Sequence, residues 1–261
     1  MPTLPLYQID AFTSRVFAGN PAAVVLLDDW LPDATMAAIA AENNLAETAF
    51  VIPRAGCSPL RWFTPAVEID LCGHATLATA HVLFEQAFPD ATRLEFETKS
   101  GRLAVGREGA RLVLDFPARP GARVSVDPAV AATFGVEVLE AHAARDLMVI
   151  VHDEDVVRSL QPDMARIAAL DAFAIIVTAP GREVDFVSRF FAPRAGIPED
   201  PVTGSAHCTL TPYWAARLGR STLTARQLSP RGGELECTLR GDRVLIAGHT
   251  VEYLRGRITV P

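Results

Sequence analysis

The side chains best suited to move protons in this chain are a few isolated acidic, imidazole and hydroxyl groups beside apolar segments. Glu47 is a lone carboxylate at the start of the apolar stretch 47–51. Burial there would favour the uncharged carboxyl, so that one group could serve as base and as acid. His74, Asp200 and Ser205 are the other candidates, because each lies close to a glycine that opens an apolar helical segment. These residue types predict proton transfer.

Each candidate also has a purely structural explanation. Glu47 could be a solvated residue at the start of a strand, and His74 could cap or pack its helix. Asp and Ser are common at helix starts, so Asp200 and Ser205 could be ordinary caps.

Three of the four candidates lie in a phrase that occurs twice. The first copy is 62–76 and the second is 190–207. Both run from an aromatic pair and a proline, through an acidic stretch, to a Gly-polar-Ala step that opens an apolar segment. A repeat of this length indicates a duplicated half rather than a solenoid of short units.

The glycines of the two copies predict an anion site. The first backbone N–H groups of a helix have no internal partner and lie at the positive end of its dipole. We therefore expect Gly73, Ala75, Gly204 and Ala206 to bind a substrate carboxylate at two helix starts that face one cleft. The same helix start would lower the pKa of His74 and favour a neutral ring. The alternative is that both glycines only permit tight packing.

The elements that must hold these groups are many short strands and two buried helices. Segments 74–88 and 205–218 are apolar around most of the helix, with Pro212 expected to kink or shorten the second. Strands joined by glycine turns, with few crossover helices, indicate an α+β fold with antiparallel-rich sheets. The duplication predicts halves at 1–118 and 119–261, with the last strand free to pack back on the first half.

Composition excludes several classes of function. The 261 residues are 49% hydrophobic and 21% charged, as in ordinary globular proteins. A net charge of -7 without a Lys/Arg cluster argues against nucleic acid as a partner. Apolar runs such as 22–27 are too short to cross a bilayer, and the first residues lack a signal-peptide pattern. We expect a soluble, cytoplasmic protein with no membrane partner.

The cysteines and histidines do not show a metal-binding pattern. Cys57, Cys72, Cys208 and Cys237 form no Cys-x-x-Cys pair, and the six histidines lack ligand spacing, so we predict no metal. A two-thiol racemase would need a cysteine in each copy, but Thr203 stands where Cys72 would be repeated. Cys72 is therefore interpreted as a small apolar filler.

Six segments, in order along the chain, together resemble the PhzF family of phenazine-biosynthesis isomerase-like proteins. They are Asp10-Ala11-Phe12, Gly19-Asn20-Pro21-Ala22-Ala23-Val24, Glu47-Thr48-Ala49-Phe50, Cys72-Gly73-His74-Ala75-Thr76, Asp200-Pro201-Val202-Thr203-Gly204-Ser205-Ala206-His207 and Gln227-Leu228-Ser229-Pro230-Arg231-Gly232-Gly233. The resemblance covers nearly the whole chain.

That resemblance implies a diaminopimelate epimerase-like fold, an α/β roll of two pseudo-symmetric halves. Each half would be a curled sheet around a central helix, with the active site in the cleft between them. It also implies a frequent homodimer and a reaction without metal or organic cofactor. By motif, Glu47 would be the base and His74, Asp200 and Ser205 the other polar groups, with Asn20 among the substrate-binding residues.

The leading hypothesis is a cofactor-independent isomerase that moves a proton on a small carboxylate-bearing substrate by Glu47 acid/base catalysis. One alternative is an amino-acid racemase, epimerase or dehydratase that uses Cys72. The other is a carboxylate-binding protein without turnover.

Overall fold

The computed structural model describes residues 2–261 and divides them into two compact units. The first unit takes the chain up to Asp115 together with Ala247–Pro261, and the second is Phe116–Ile246. The first part of the chain contains β1 (Thr3–Ala11), β2 (Asn20–Leu26), α1 (Asp33–Asn43), β3 (Glu47–Val51), β4 (Cys57–Phe63), β5 (Glu68–Ile69), α2 (Gly73–Gln86), β6 (Arg93–Thr98), β7 (Gly101–Glu108) and β8 (Arg111–Pro117).

The rest of the chain adds four helices and nine strands among the described residues, together with one 3-10 turn at Pro193–Ala195. They are β9 (Ala122–Val124), α3 (Pro128–Phe134), β10 (Glu140–Ala143), β11 (Leu147–Ile150), α4 (Glu154–Ser159), α5 (Met164–Ala169), β12 (Ile175–Pro180), β13 (Phe186–Phe191), α6 (Gly204–Leu218), β14 (Thr222–Gln227), β15 (Gly233–Arg240), β16 (Arg243–Gly248) and β17 (Thr250–Thr259).

The first unit is a mixed sheet built on a central helix. β1 pairs antiparallel with both β17 and β2, β2 runs parallel to β3, and β3 is antiparallel to β4. A meander of β6, β7 and β8 continues from β4. Eleven of the fourteen residues of α2 are buried, and this helix packs against β1, β2 and β3. A helix apolar on most faces needs such an enclosed position.

The second unit repeats this plan. Its neighbouring strands from β9 to β15 pair in order, with β11/β12 and β13/β14 parallel and the others antiparallel. α6 packs on β14 and β15, and its Trp214 ring stacks on Phe186 with centroids 5.7 Å apart. The indole N–H donates to Thr178 Oγ1 at 3.0 Å. The predicted α+β class is thus confirmed.

The doubled phrase begins with the same ion pair in both units. Arg61 of β4 holds Glu68 through two bonds, Nε–Oε1 at 2.7 Å and Nη2–Oε2 at 2.9 Å. Arg189 of β13 holds Glu199 with the same two distances. Each arginine immediately precedes the aromatic pair, so the repeat is one residue longer than the aromatic signal alone indicated. Paired guanidinium and carboxylate groups fix the acidic stretch against its strand.

The last strand packs on the first unit. That unit includes Ala247–Pro261, where β17 supplies the outer partner of β1. Pro212 does not shorten α6, which runs to Leu218. Proline has no N–H for the carbonyl of Cys208, and Arg119 N–H bonds that carbonyl instead at 2.8 Å.

Two short helices, α4 and α5, were not predicted. They lie in the crossover between the parallel strands β11 and β12, and each has six residues. Six residues are too few to show a clear apolar period. Within residues 2–261, every helix is too short or too polar to serve as a membrane span.

Candidate active site

Glu47 and His74 form a buried pair in the first unit. Glu47 is the first residue of β3 and His74 the second residue of α2, and the packing of α2 on β3 brings them together. Glu47 Oε2 lies 2.9 Å from His74 Nε2, and each residue is 5% exposed. Among the described residues, none donates a hydrogen bond of good geometry to Oε2. The contact with the ring is therefore short, but its N–H···O angle is far from linear.

Asn20 fixes the other side of the imidazole ring. It is the first residue of β2, fully buried, and its side-chain amide lies 3.1 Å from His74 Nδ1. A neutral ring that accepts from the amide N–H carries its proton on Nε2, which faces Glu47, whereas a charged ring has an N–H on both nitrogens and donates to the amide oxygen instead. The amide and the carboxylate therefore hold the ring from opposite sides.

The protonation of His74 is opposite to that expected from the helix start. Burial lowers the pKa of His74, but its interactions with Cys72 and Glu47 raise it, and the result is well above the ordinary value of 6.5. The charge comes from Glu47, because the Cys72 thiol is uncharged near neutral pH. The direction of this pKa is thus opposite to the one that the helix start alone predicts, because the carboxylate outweighs the helix dipole.

Cys72 completes this cluster. It precedes α2, is 6% exposed, and its Sγ lies 3.6 Å from Nδ1 and 4.0 Å from Nε2 of His74. Burial, with the nearby Glu47 charge, raises the pKa of Cys72 to about 11. The thiolate is the reactive form of cysteine, so this thiol is poorly suited to act as nucleophile or base at neutral pH.

The start of α2 presents backbone donors beside the pair. Cys72 has an extended backbone, φ -143° and ψ 111°, and its side chain does not cap the helix. The first bond back to Cys72 comes from Thr76 N–H, at 3.1 Å from the Cys72 carbonyl. The N–H groups of Gly73, His74 and Ala75 precede that bond and are the donors an anion would meet.

In the second unit, Gln227 holds the segment that carries Asp200. Its Nε2 donates to Asp200 O at 2.7 Å and to Thr203 Oγ1 at 3.2 Å, while its Oε1 accepts from Thr203 N at 2.9 Å. Thr203 Oγ1 in turn donates to Asp200 Oδ2. The Gln227 side chain is fully buried, which makes it a positioning residue for Asp200.

The start of α6 is only partly like that of α2. Thr203 precedes Gly204 without a side-chain cap, and Ser205 is half-buried. Ala206 N–H donates to Thr203 O at 3.2 Å. His207 Nδ1 also bonds Thr203 O, at 2.8 Å.

The structure therefore brings the predicted residues together in two groups, one in each unit. The first contains Glu47, His74, Asn20 and the α2 start, and the second contains Asp200 and the α6 start. Sequence reasoning missed Gln227 as a positioning residue, although it opens one of the six segments. It also missed that Glu47, Cys72 and His74 place three metal-ligand atoms within 4.8 Å of one another.

The comparisons with known proteins place this architecture in one class and then in one family. A hydroxyproline epimerase from Agrobacterium vitis superposes with a TM-score of 0.63 over 98% of this chain and 92% of its own, at 12% identity. That likeness defines the fold, which is diaminopimelate epimerase-like, as predicted.

The family follows from closer matches. Residues 9–256 match the PhzC-PhzF family of phenazine biosynthesis-like proteins. An uncharacterized isomerase of Pseudomonas aeruginosa is 53% identical over 98% of both chains. A crystal structure of a PhzF family protein from Enterococcus faecalis has a TM-score of 0.97 and 47% identity over 99% of this chain and 100% of its own. The chain belongs to the PhzC-PhzF family, which confirms the predicted resemblance.

Proposed function

We propose that this protein is an isomerase that moves a proton between carbons of a small carboxylate-bearing substrate, with Glu47 as the base. The observation that carries this proposal is the buried Glu47–His74 pair, 2.9 Å apart, beside the uncapped start of α2. A relative named as an isomerase and a fold shared with an epimerase support the reaction class.

In the proposed reaction the substrate carboxylate binds the N–H groups at the start of α2. Glu47 removes a proton from a carbon made acidic by the neighbouring unsaturated or carbonyl group, and the substrate becomes a delocalised carbanion. The proton held by Glu47 then returns to a different carbon, so that atoms and charge balance without a co-reactant. The positive ring of His74 stabilises the negative charge beside it.

Asp200 and Ser205 are proposed as further polar groups of the same reaction. Asp200 is held by Thr203 and Gln227, and Ser205 is the second residue of α6. Asp200→Asn tests this assignment, because a group that takes part in proton transfer should lower the exchange rate when its charge is removed.

The test of the base is deuterium exchange. We would incubate the enzyme in heavy water with a panel of small unsaturated and amino carboxylic acids and follow incorporation by NMR. Glu47→Gln keeps the size of the side chain but removes the base, and a fall of about 10²–10⁴-fold is expected. Glu42→Gln is the matched control, because Glu42 is an exposed glutamate of α1. Equal exchange in Glu47→Gln and wild type would remove Glu47 from the role.

Two alternatives predict other outcomes. A thiol-dependent racemase, epimerase or dehydratase would lose its exchange in Cys72→Ala, whereas Glu47 chemistry does not require the thiol. A carboxylate-binding protein without turnover would bind members of the panel in calorimetry but exchange none of them. The raised pKa of Cys72 favours the Glu47 assignment over the thiol.

A further inference from the structure

We propose that Glu47, Cys72 and His74 form a binding site for a divalent zinc-class ion, and that this ion blocks the Glu47–His74 pair. Their ligand atoms, one carboxylate oxygen, one sulfur and one imidazole nitrogen, all lie within 4.8 Å of one another. The three residues come from β3, the residue before α2, and α2 itself. Because Glu47 is distant in the sequence from Cys72 and His74, a search for the usual spacing of metal ligands does not find the site.

The distances fit a tetrahedral ion. Zinc bonds of about 2.0–2.1 Å to N and O and about 2.3 Å to S place the ligand atoms of a tetrahedral site roughly 3.3–3.6 Å apart. Here Nε2 is 2.9 Å from Oε2 and 4.0 Å from Sγ. Shifts of about half an ångström, within rotamer adjustment, would bring both distances into that range.

The donor set favours a particular class of ion. Sulfur with imidazole selects zinc and cobalt over magnesium and calcium, which prefer oxygen ligands. Binding releases the thiol proton and the proton between the ring and Glu47 to solvent, so the bound ion meets a thiolate, a neutral imidazole and a carboxylate. Two negative ligands then balance the charge of the ion.

The surroundings supply the other requirements of a metal site. The three residues are buried, each 5–6% exposed, and a tetrahedral zinc held by them would take a water as its fourth ligand. Glu47 Oε2 has no donor in line with it among the described residues, so a ligand there would satisfy a buried atom. The amide of Asn20 lies 3.1 Å from Nδ1, and turning that amide would let its oxygen accept a hydrogen bond from the N–H at Nδ1.

The consequence for the reaction depends on the proposed function. An ion bound through Oε2 and Nε2 occupies the base of the isomerase, so it would act as an inhibitor and not as a cofactor. The metal site itself depends only on the geometry of the three residues, and its test needs no turnover.

Cobalt titration provides that test. Co²⁺ added to the metal-free protein should give a near-ultraviolet thiolate-to-cobalt band and the visible bands of tetrahedral cobalt at one equivalent. Zn²⁺ should then abolish both sets of bands, and Mg²⁺ should leave them unchanged. Cys72→Ser should lose the thiolate band, while Cys57→Ser, the matched control at a half-buried cysteine outside the cluster, should keep it. Asn20→Ala should lower the affinity for zinc about 10–100-fold.

Two results would overturn the site: no cobalt bands in the wild-type protein, or a thiolate band that disappears in Cys57→Ser but persists in Cys72→Ser. If Cys72→Ser did not fold, as judged by circular dichroism, Glu47→Gln would test the site instead. This variant should retain the thiolate-to-cobalt band but bind cobalt more weakly than the wild type, and an unchanged cobalt affinity would contradict the proposal. Failure of deuterium exchange in the wild type would count against the isomerase and leave the metal result intact.

Discussion

His74 and His207 are both buried imidazoles, yet their surroundings drive their protonation in opposite directions. The interactions of His74 with Glu47 and Cys72 raise its pKa despite burial. Among the described residues, His207 of α6 has the Thr203 carbonyl as its one hydrogen-bond partner and packs near Phe186, and burial lowers its pKa to about 4. The presence of a neighbouring carboxylate therefore accounts for the opposite directions of the two pKa shifts.

The low pKa of His207 predicts a loss of stability in acid. An unfolded histidine titrates near 6.5, so this contribution is intact above pH 6.5 and is lost as the pH falls toward 4. By pH 5 the loss amounts to about 2 kcal/mol of unfolding free energy. His207→Asn keeps a donor for the Thr203 carbonyl but cannot titrate. In urea unfolding, its unfolding free energy should fall less between pH 7 and pH 5 than that of the wild type.

The control for this measurement is His152→Asn, which removes an exposed histidine. Its unfolding free energy should decline between pH 7 and pH 5 as steeply as that of the wild type. Equal declines in wild type and His207→Asn would mean that His207 is not buried in its neutral form.

The sequence allowed the site residues to be chosen but not their interactions. Glu47 is a lone carboxylate at a strand start, and His74 follows a helix-opening glycine, so both could be selected from local patterns. Their contact depends on α2 packing against β3, which no local pattern encodes. For that reason the direction of the His74 pKa and the position of Cys72 beside the ring could not be predicted.

At the scale of elements, the turn into β2 sets the position of Asn20. Gly19 has φ +66°, and a Cβ at this position would lie 2.2 Å from the carbonyl oxygen of Ala11. Main-chain atoms of β1 cannot move that far without disturbing the sheet. Only glycine fits here, because both the backbone angle and the close approach exclude a side chain.

Gly19→Ala should therefore destabilise the protein and disturb the ring of His74. We expect a loss of more than about 3 kcal/mol in urea unfolding, with slower deuterium exchange because Asn20 shifts. Gly109→Ala is the matched control: its φ is +61°, but no atom lies within 4 Å of the added Cβ. It should cost about 1–2 kcal/mol from the backbone angle alone. Equal losses in the two variants would contradict the packing argument.

The elements themselves were more predictable where they were long. α2 and α6 were predicted from apolar residues on most faces, and their observed starts differ by one residue from the predicted ones. α4 and α5 escaped prediction because six residues give less than two turns of pattern. The hydrogen bond to the Cys208 carbonyl could not be predicted either. Pro212 has no N–H to bond it, and the donor that does, Arg119 N–H, is distant in the sequence.

At the scale of the molecule, the first unit is discontinuous in the chain. β17 pairs with β1 along nearly its whole length, and Val260 N–H donates to Pro2 O at 3.1 Å. The second unit, by contrast, is the single segment Phe116–Ile246. The stability of the two units therefore depends differently on the last residues.

Removing residues 247–261 should unfold the first unit and spare much of the second. Without β17 the outer edge of β1 loses its hydrogen-bond partners. Hydrogen exchange followed by mass spectrometry should show fast exchange in β1 and β2, with protection retained in β12 and β13. Removal of Pro261 alone, an exposed residue, is the control. Protected β1 amides in the long truncation would contradict this dependence.

Membership of the PhzC-PhzF family also leads us to expect a homodimer, as the sequence resemblance implied. Size-exclusion chromatography with light scattering should give twice the mass of one chain across a range of protein concentrations. A single-chain mass throughout that range would refute the expectation.

The pairing of β1 with β17 also bears on how the chain matures during synthesis. β1 leaves the ribosome before Phe116–Ile246, but its outer partner β17 follows only after all of that segment has been made. The nascent protein thus carries an open β1 edge while residues 12–249 are made, and such edges invite pairing with other chains. The unit that holds Glu47 and His74 is begun before the second unit and completed after it, so newly made protein depends on protection of the β1 edge until β17 has been made.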